Sequence, residues 1–493
     1  MSALAPLNSA AFGYEQARHL LNRAGFGGTP QQVAALQGMG LAAAVDHLVD
    51  FDRVPDPHVA PPSVDPDVIR PPNEEEKLQY ARARREQDQD TLDKLRAEVL
   101  RRQGEDRRMI RDLATWWLAT MITTARPLRE KLTLLWHSHF ATNWRSIHDA
   151  YLMYRQNDLF RTHAADSFAA LVKGIVRDPA MIRYLNNDQN RKSAPNENLA
   201  RELMELFTLG EGQYAERDIK EGARALTGYT LDDNDFTFNQ RQHDGGGKVI
   251  FGVKGDYDGD GFADLILQRP RVGQWVAYKL YRHFVADVAE PAAATPVQKQ
   301  FIQQLGRQIT DDRYDLRPAL KAMFRSAHFY DAAVVGQQVK SPAQLVVGSV
   351  RMLNTPVRDI RLLTDALDRM GQKLFEPPSV AGWDGGRTWI NTSTLFVRQN
   401  VCTYLLTGKQ PFGGEWDRAM VNYDPTPLVA DLPLQTPQAV VDRLLATLIG
   451  GAAPTERRDQ LVAFMKERGG HVTPDTLIAV LLLITALPEY QLC

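Results

Sequence analysis

The sequence predicts a mainly α-helical protein: a large multi-helix body, a long charged helical arm, and an insertion of loop and short β-ribbon. Three observations carry this expectation. Apolar residues recur at three- and four-residue spacing through most of the 493 residues. Helix starts marked by a hydroxyl residue followed by proline stand at Thr29-Pro30, Ser341-Pro342 and Thr473-Pro474. Strand-like alternation is scarce, and no period of roughly 20–50 residues repeats, which argues against a solenoid.

Taken in order, residues 1–50 read as N-terminal helices, broken by Gly25, Gly27 and Gly28. Residues 51–109 read as a Pro- and Asp-rich linker followed by the arm, dense in Glu, Lys, Arg and Gln with sparse Leu. Its basic cluster (Arg82, Arg84, Arg85) is offset by neighbouring acids and reads as a solvated face. Residues 110–493 form the main helical domain. Periodic segments fall at 116–123, 128–140, 147–160, 165–176, 196–209 and 218–226, with Gly210 placed to end the 196–209 helix in the left-handed region. The stretch at about 230–268 turns rich in Asp, Asn, Gly and aromatics and is the irregular insertion. Helical pattern resumes at 272–285, 296–305, 316–325, 342–353, 394–406, 437–448, 456–467 and 474–482.

Composition removes several function classes. Basic and acidic side chains number 58 and 60, a net charge of −2, which argues against a nucleic-acid partner. Hydrophobic residues at 44% are ample for a core. Cys402 and Cys493 alone make neither a disulfide framework nor a cysteine-rich zinc site. No run of about 18 apolar residues predicts a membrane span, and no signal peptide is visible. The chain as given reads as cytoplasmic, or as periplasmic or secreted if a leader was removed.

Five stretches hold residue types suited to chemistry. In Trp136-His137-Ser138-His139-Phe140, each imidazole is either a metal ligand or a hydrogen-bonded core residue; on a helix the two point about 200° apart. Glu202 and Glu205 stand at the i, i+3 spacing of carboxylate ligands on metal-binding helices, or form part of a solvated face. Arg224, three residues after Glu221, suits an ion pair that orients a site, and His243-Asp244 is an acid/base or metal-binding pair. Asp256, Asp258, Asp260 and Asp264, interleaved with Gly259 and Gly261, match the first half of a calcium loop, although position 12 is Leu267 rather than Glu. Such a cluster needs a cation or a set of backbone N–H donors to offset its self-repulsion. Finally, Trp383, Arg387, Trp389 and Asn391 lie in a Gly-rich turn that runs into a capped helix. They suit an anion pocket, a stacking platform for sugar rings, or a structural loop.

Taken together the chain resembles the bacterial domain-of-unknown-function 1800 proteins, over essentially its full length. The resemblance rests on the opening His19 to Gly27 stretch, Trp136-His137-Ser138-His139-Phe140, the Asn198 to Gly210 stretch, and Ala223-Arg224-Ala225-Leu226-Thr227-Gly228. His243-Asp244, Asp258-Gly259-Asp260 with Asp264, Lys340-Ser341-Pro342, Gly382-Trp383, the Trp389 to Thr394 stretch, and Pro488 to Leu492 complete it. It implies a largely helical fold, export of many members, and a partner protein of phosphatase/sulfatase-like fold. The chain departs from the family pattern at Gln344, where Glu is usual, and adds Asp256 and Gly261 to the calcium-loop look.

The expectation is a metal-dependent enzyme, hydrolase, transferase or oxidase, with a divalent metal at His137 or His139, Glu202, Glu205, His243 and Asp244. Calcium would hold the Asp loop structurally. The alternative is a non-catalytic glycan- or protein-binding protein with the same structural calcium loop.

Overall fold

The computed structural model describes residues 2–57, 59–409, 422–450 and 453–493. Helices dominate it, and the described residues hold two two-stranded antiparallel sheets. The hydroxyl-proline signals work as expected. Thr29, Ser341 and Thr473 each accept from the backbone N–H three residues on, with proline in the first turn behind them.

The charged arm is a helical hairpin, Glu74–Glu86 and Gln89–Thr123, turned at Gln87 with φ 55. Its Arg and Glu side chains pair mostly with each other, as in Arg82–Glu86, Arg101–Glu98 and Arg102–Glu76. The second helix does not stop at the end of the arm. It runs without a break into the core, burying Met109, Ile110, Leu113 and Trp117. The separate helix expected at 116–123 is therefore its inner end, since no residue between 107 and 116 breaks a helix.

Two apolar clusters form the interior. The first joins the N-terminal helices (Leu20, Val45, Val49) to side chains between Phe160 and Val334. The second joins the inner end of the arm (Leu113, Trp117, Met121) to side chains between Ala343 and Tyr490. The Pro127–His139 helix lies between them: Leu128, Leu132 and Trp136 enter the first cluster, and Leu134 enters the second.

The insertion contains two hairpins. Strand β1 (Tyr229–Asp232) pairs with β2 (Asp235–Phe238), and β3 (Lys248–Ile250) pairs with β4 (Val253–Gly255). Its last third is a helix, Gly259–Leu267, rather than loop. Asp258 caps that helix, and Phe262, Ala263, Leu265 and Ile266 give it a buried face. Among the described residues no helix is long and apolar enough to cross a membrane.

Candidate functional site

The expected helical divergence separates the two imidazoles of the His-x-His motif. His137 packs among Trp117, Phe375 and Trp383, with ring centroids 5.5, 5.6 and 5.7 Å away, and its Nε2 has no hydrogen-bond partner. His139 points into the other cluster and donates from Nε2 to the Phe207 carbonyl at 2.9 Å. A carbonyl only accepts, so Nε2 carries the proton and Nδ1 keeps a bare lone pair, buried without a partner. Burial pulls both rings down to about 3, so both are neutral at physiological pH.

The segment holding Glu202 and Glu205 changes helix type between them, from α at Asn198–Glu202 to π at Leu203–Thr208. The wide turn leaves carbonyls for side chains to claim: Trp275 Nε1 bonds Leu206 O at 2.9 Å, His139 bonds Phe207 O, and Arg271 Nε bonds Leu209 O at 3.0 Å. Gly210 ends it at φ +86, the left-handed conformation expected, with Trp275 filling the space a Cβ would need. Glu205 accepts from Tyr214 OH at 2.5 Å, and burial with the Glu205 charge raises the Glu202 carboxyl. The structure does not bring this pair together with the histidines. Among the described residues, no three His, Cys, Asp or Glu side chains are grouped to hold a metal ion.

Arg224 is a half-buried tie. It grips Asp244 through Nε and Nη2 at 2.7 and 3.2 Å and Glu221 at 2.9 Å, and it holds the Asp244 carboxyl down at about 2. His243 Nδ1 lies 2.8 Å from the Thr227 carbonyl, and its ring packs on Phe238. The fully buried Lys248 donates to the carbonyls of Asp244 and Gly246. Every charge in this cluster has a protein partner.

The four Asp residues do not converge either. Asp258 Oδ1 accepts from Gly261 N–H as the helix cap. Asp260 pairs with Arg177 and Asp264 with Lys173, two rungs of an i, i+4 ladder between the 259–267 helix and Phe168–Val176. Asp256 stands 3.7 Å from Lys248 Nζ. Protein cations and backbone N–H groups supply the compensation the sequence demanded.

In the Gly-rich turn, Gly382 (φ +81) presses against the Ser138 carbonyl, where a Cβ would sit 2.0 Å from the oxygen. This contact seats Trp383 on His137. Arg387 is exposed, and Asn391 spends its side chain capping the Thr392–Thr407 helix at Thr394 N–H.

Trp383 and Trp389 line a cavity of about 160 Å³ whose other walls were not foreseen. Arg23, Lys131, Lys279 and Arg282 face it, against two acidic side chains, Asp287 and Asp384, and Cys493. Three of the four cations are fixed by protein acceptors. Lys131 Nζ donates to Asn22 O, Gly25 O and Gln344 Oε1 at 2.8, 2.6 and 2.6 Å. Three acceptors use three protons, which only the ammonium form has, so Lys131 is charged although burial pulls its pKa well down. Arg23 bonds the carbonyls of Phe284 and His283 and the Cys493 sulfur. Burial raises the Cys493 thiol, but Arg23, Lys131 and Lys340 outweigh it and hold it below its ordinary value. Arg282 reaches the Asp384 carbonyl and stands 3.5 Å from Asp287.

Lys279 differs. Among the described residues it makes no hydrogen bond or ion pair; its ammonium lies over the Trp275 ring at 4.7 Å, and burial and Arg282 lower it to about 8. The only trace of these residues in the sequence is their position. Lys131 and Lys279 sit on apolar stripes, between Leu128 and Leu132 and between Val276 and Leu280, where a cation is out of place unless something holds it.

Fold and cavity together define a mainly α-helical protein with a cation-lined interior pocket between two cores. No curated protein and no solved structure matches the chain. It belongs to the family described as protein of unknown function (DUF1800), whose model matches residues 19–492.

Proposed function

We propose that the protein binds a small anionic ligand, carrying a carboxylate, phosphate or sulfate group, in the cavity between Lys279, Lys131 and Trp383. One observation carries the reading: among the described residues Lys279 is a half-buried cation without a protein acceptor, in a cavity where four cationic side chains face two side-chain carboxylates. A charge taken from water without a partner is costly, and an anion offsets that cost. At an effective dielectric of 20, an anion 4 Å from Lys279 gains on the order of 4 kcal/mol before its own desolvation is counted. Arg23, Lys131 and Arg282 add to the field while staying on their protein acceptors. The metal-dependent expectation finds no three-ligand group among the described residues, and the anion reading differs from the glycan- or protein-binding alternative as well.

Thermal melts with phosphate, sulfate and acetate, matched in ionic strength by chloride, test the reading. The expected outcome is a concentration-dependent rise specific to one or more of these anions and absent in Lys279→Met. Equal response to chloride, or a rise untouched by the substitution, overturns it.

A further inference from the structure

We infer that Lys279 is a nucleophile: its amine forms a Schiff base with the carbonyl of a small anionic carbonyl compound, a short 2-oxo acid fitting best. The inference rests on the anion-binding reading and names both the substrate class and what the site does to it.

The cavity wall offers four cationic side chains, and three of them have no lone pair to attack with. Arg23 and Arg282 carry guanidinium groups, which keep their protons in proteins. Lys131 spends all three protons on Asn22 O, Gly25 O and Gln344 Oε1. Lys279 is different. Among the described residues its Nζ makes no hydrogen bond or ion pair, and it is not sealed from solvent as the unpartnered atoms of His139 and Trp383 are.

An unpaired ammonium in such a place escapes its cost in two ways: it draws in an anion, or it gives up its proton. Burial favours the second, and so does Arg282, one turn further along the helix Pro270–Phe284. With its pKa at about 8, Lys279 is half amine at pH 8, whereas an ordinary lysine at ~10.4 is amine in roughly one copy in 250. A lysine desolvated beside a second cation is the kind that attacks carbonyls.

An oxo acid answers both halves of the site. Its carboxylate takes the field of Arg23, Lys131 and Arg282, and its carbonyl meets the nitrogen. The Lys279 lone pair forms the C–N bond while the carbonyl π pair moves to oxygen. The nitrogen passes one proton to that oxygen, which takes a second from solvent and leaves as water. Amine, carbonyl and one proton thus become a protonated imine and water, with no oxidant or reductant. The space sets the size: about 160 Å³ is close to the ~150 Å³ of a cavity that admits benzene, room for roughly six non-hydrogen atoms, the number in pyruvate.

The test traps the imine. The full chain at pH 8 is incubated with pyruvate, 2-oxobutyrate or 2-oxoglutarate and sodium cyanoborohydride, then read by intact mass and peptide mapping. Dihydroxyacetone phosphate supplies a phosphate arm, acetone is the uncharged carbonyl, and lactate is the anion without a ketone. The expected result is one adduct per chain, on Lys279, slowed by lactate. It should form about tenfold or more faster than the acetone adduct or an adduct at any other lysine. Lys279→Arg should lose the adduct and keep the stabilisation of the melt by lactate, because the charge stays. Mapping in the parent chain does not depend on the variant folding. No adduct at Lys279, or adducts spread over the lysines at the acetone rate, overturns the inference, and lactate or phosphate binding in the same melts then leaves the anion reading standing. Where no anion binds and none is trapped, both fall.

Discussion

Arg224 and Lys279 are both half-buried cations on helices, and the two regions around them resolve their charge in opposite ways. Around Arg224 two carboxylates close on the guanidinium, and the nearby Lys248 is seated on two backbone carbonyls. Around Lys279 the nearest named partner is the face of Trp275, and the neighbouring Arg282 repels it. Both regions lie at the edge of the first core. A network that satisfies its own charges has finished its work when the chain folds. A cavity that does not has kept capacity for something outside the chain.

The pair of substitutions Lys279→Met and Arg224→Met gives the largest expected contrast. Lys279→Met should weaken anion binding by about 10–100-fold, on the scale of one desolvated charge-assisted hydrogen bond, and leave the melting temperature unchanged or higher. Arg224→Met should leave anion affinity alone and cost about 1–3 kcal/mol in chemical unfolding, because Asp244 and Glu221 lose their common partner. If both variants lose binding and stability together, the two regions are one system and the contrast collapses.

Gln344→Glu comes next. It places a carboxylate on Lys131 Nζ, now bonded to the Gln344 amide oxygen at 2.6 Å, and so lowers the positive field of the cavity. Anion affinity should fall about three- to tenfold with little change in stability, a through-space effect of one added charge at effective dielectric near 20. Calorimetry that finds no loss would mean Lys131 is too far from the ligand to matter.

The same contrast has a pH signature. Lys279 titrates at about 8 in the folded protein, below its unfolded value, so between these the unfolded chain binds more protons. The stability of the empty protein therefore gains from Lys279 as pH rises from about 8 to 10, while anion affinity falls over the same rise. Binding near pH 8 should take up protons, visible as a buffer-dependent heat. Asp244, held at about 2 by Arg224, behaves in reverse: its contribution is complete above the ordinary Asp value and is lost as pH falls toward 2. Acid melts of Arg224→Met should lack that last loss.

Asp258→Ala is the smallest of these effects. Loss of the cap should cost about 0.5–2 kcal/mol, and millimolar calcium should leave the melting temperature of parent and variant alike unmoved. A calcium-induced rise abolished by the substitution would show that Asp256, Asp258, Asp260 and Asp264 can leave their present partners for a common ion.

The helical architecture was legible because its signals are local. Caps, prolines and three–four spacing act within a few residues, and Thr29, Ser341, Thr473 and Gly210 behave as read. The Asp cluster misled because one pattern, Asp-x-Asp-Gly, serves both a cation loop and a capped helix start. The outcome depended on Lys173 and Arg177 more than eighty residues earlier. In the His-x-His motif the helix split the pair, and only His139 reached the cavity. Of the Trp-rich turn, Trp383 and Trp389 line it, whereas Arg387 and Asn391 face outward. Arg23, Lys131, Lys279 and Arg282 belong to three helices far apart in sequence, and only folding makes them neighbours.

The π turn at Leu203–Thr208 joins residues of the cavity wall to the half-buried Glu205–Tyr214 pair. Two of the carbonyls it frees are held by His139 and Trp275, and the Trp275 ring also carries the Lys279 ammonium. A ligand that draws Lys279 off that ring changes the seating of Trp275, and with it the grip on Leu206. The Glu205 side chain, bonded to Tyr214, rides on the same turn. If the pocket binds as proposed, occupancy is expected to reach the backbone of residues 203–209 through Trp275. Amide hydrogen exchange there should slow when the pocket fills, and it should stop responding once Trp275→Phe cuts the link.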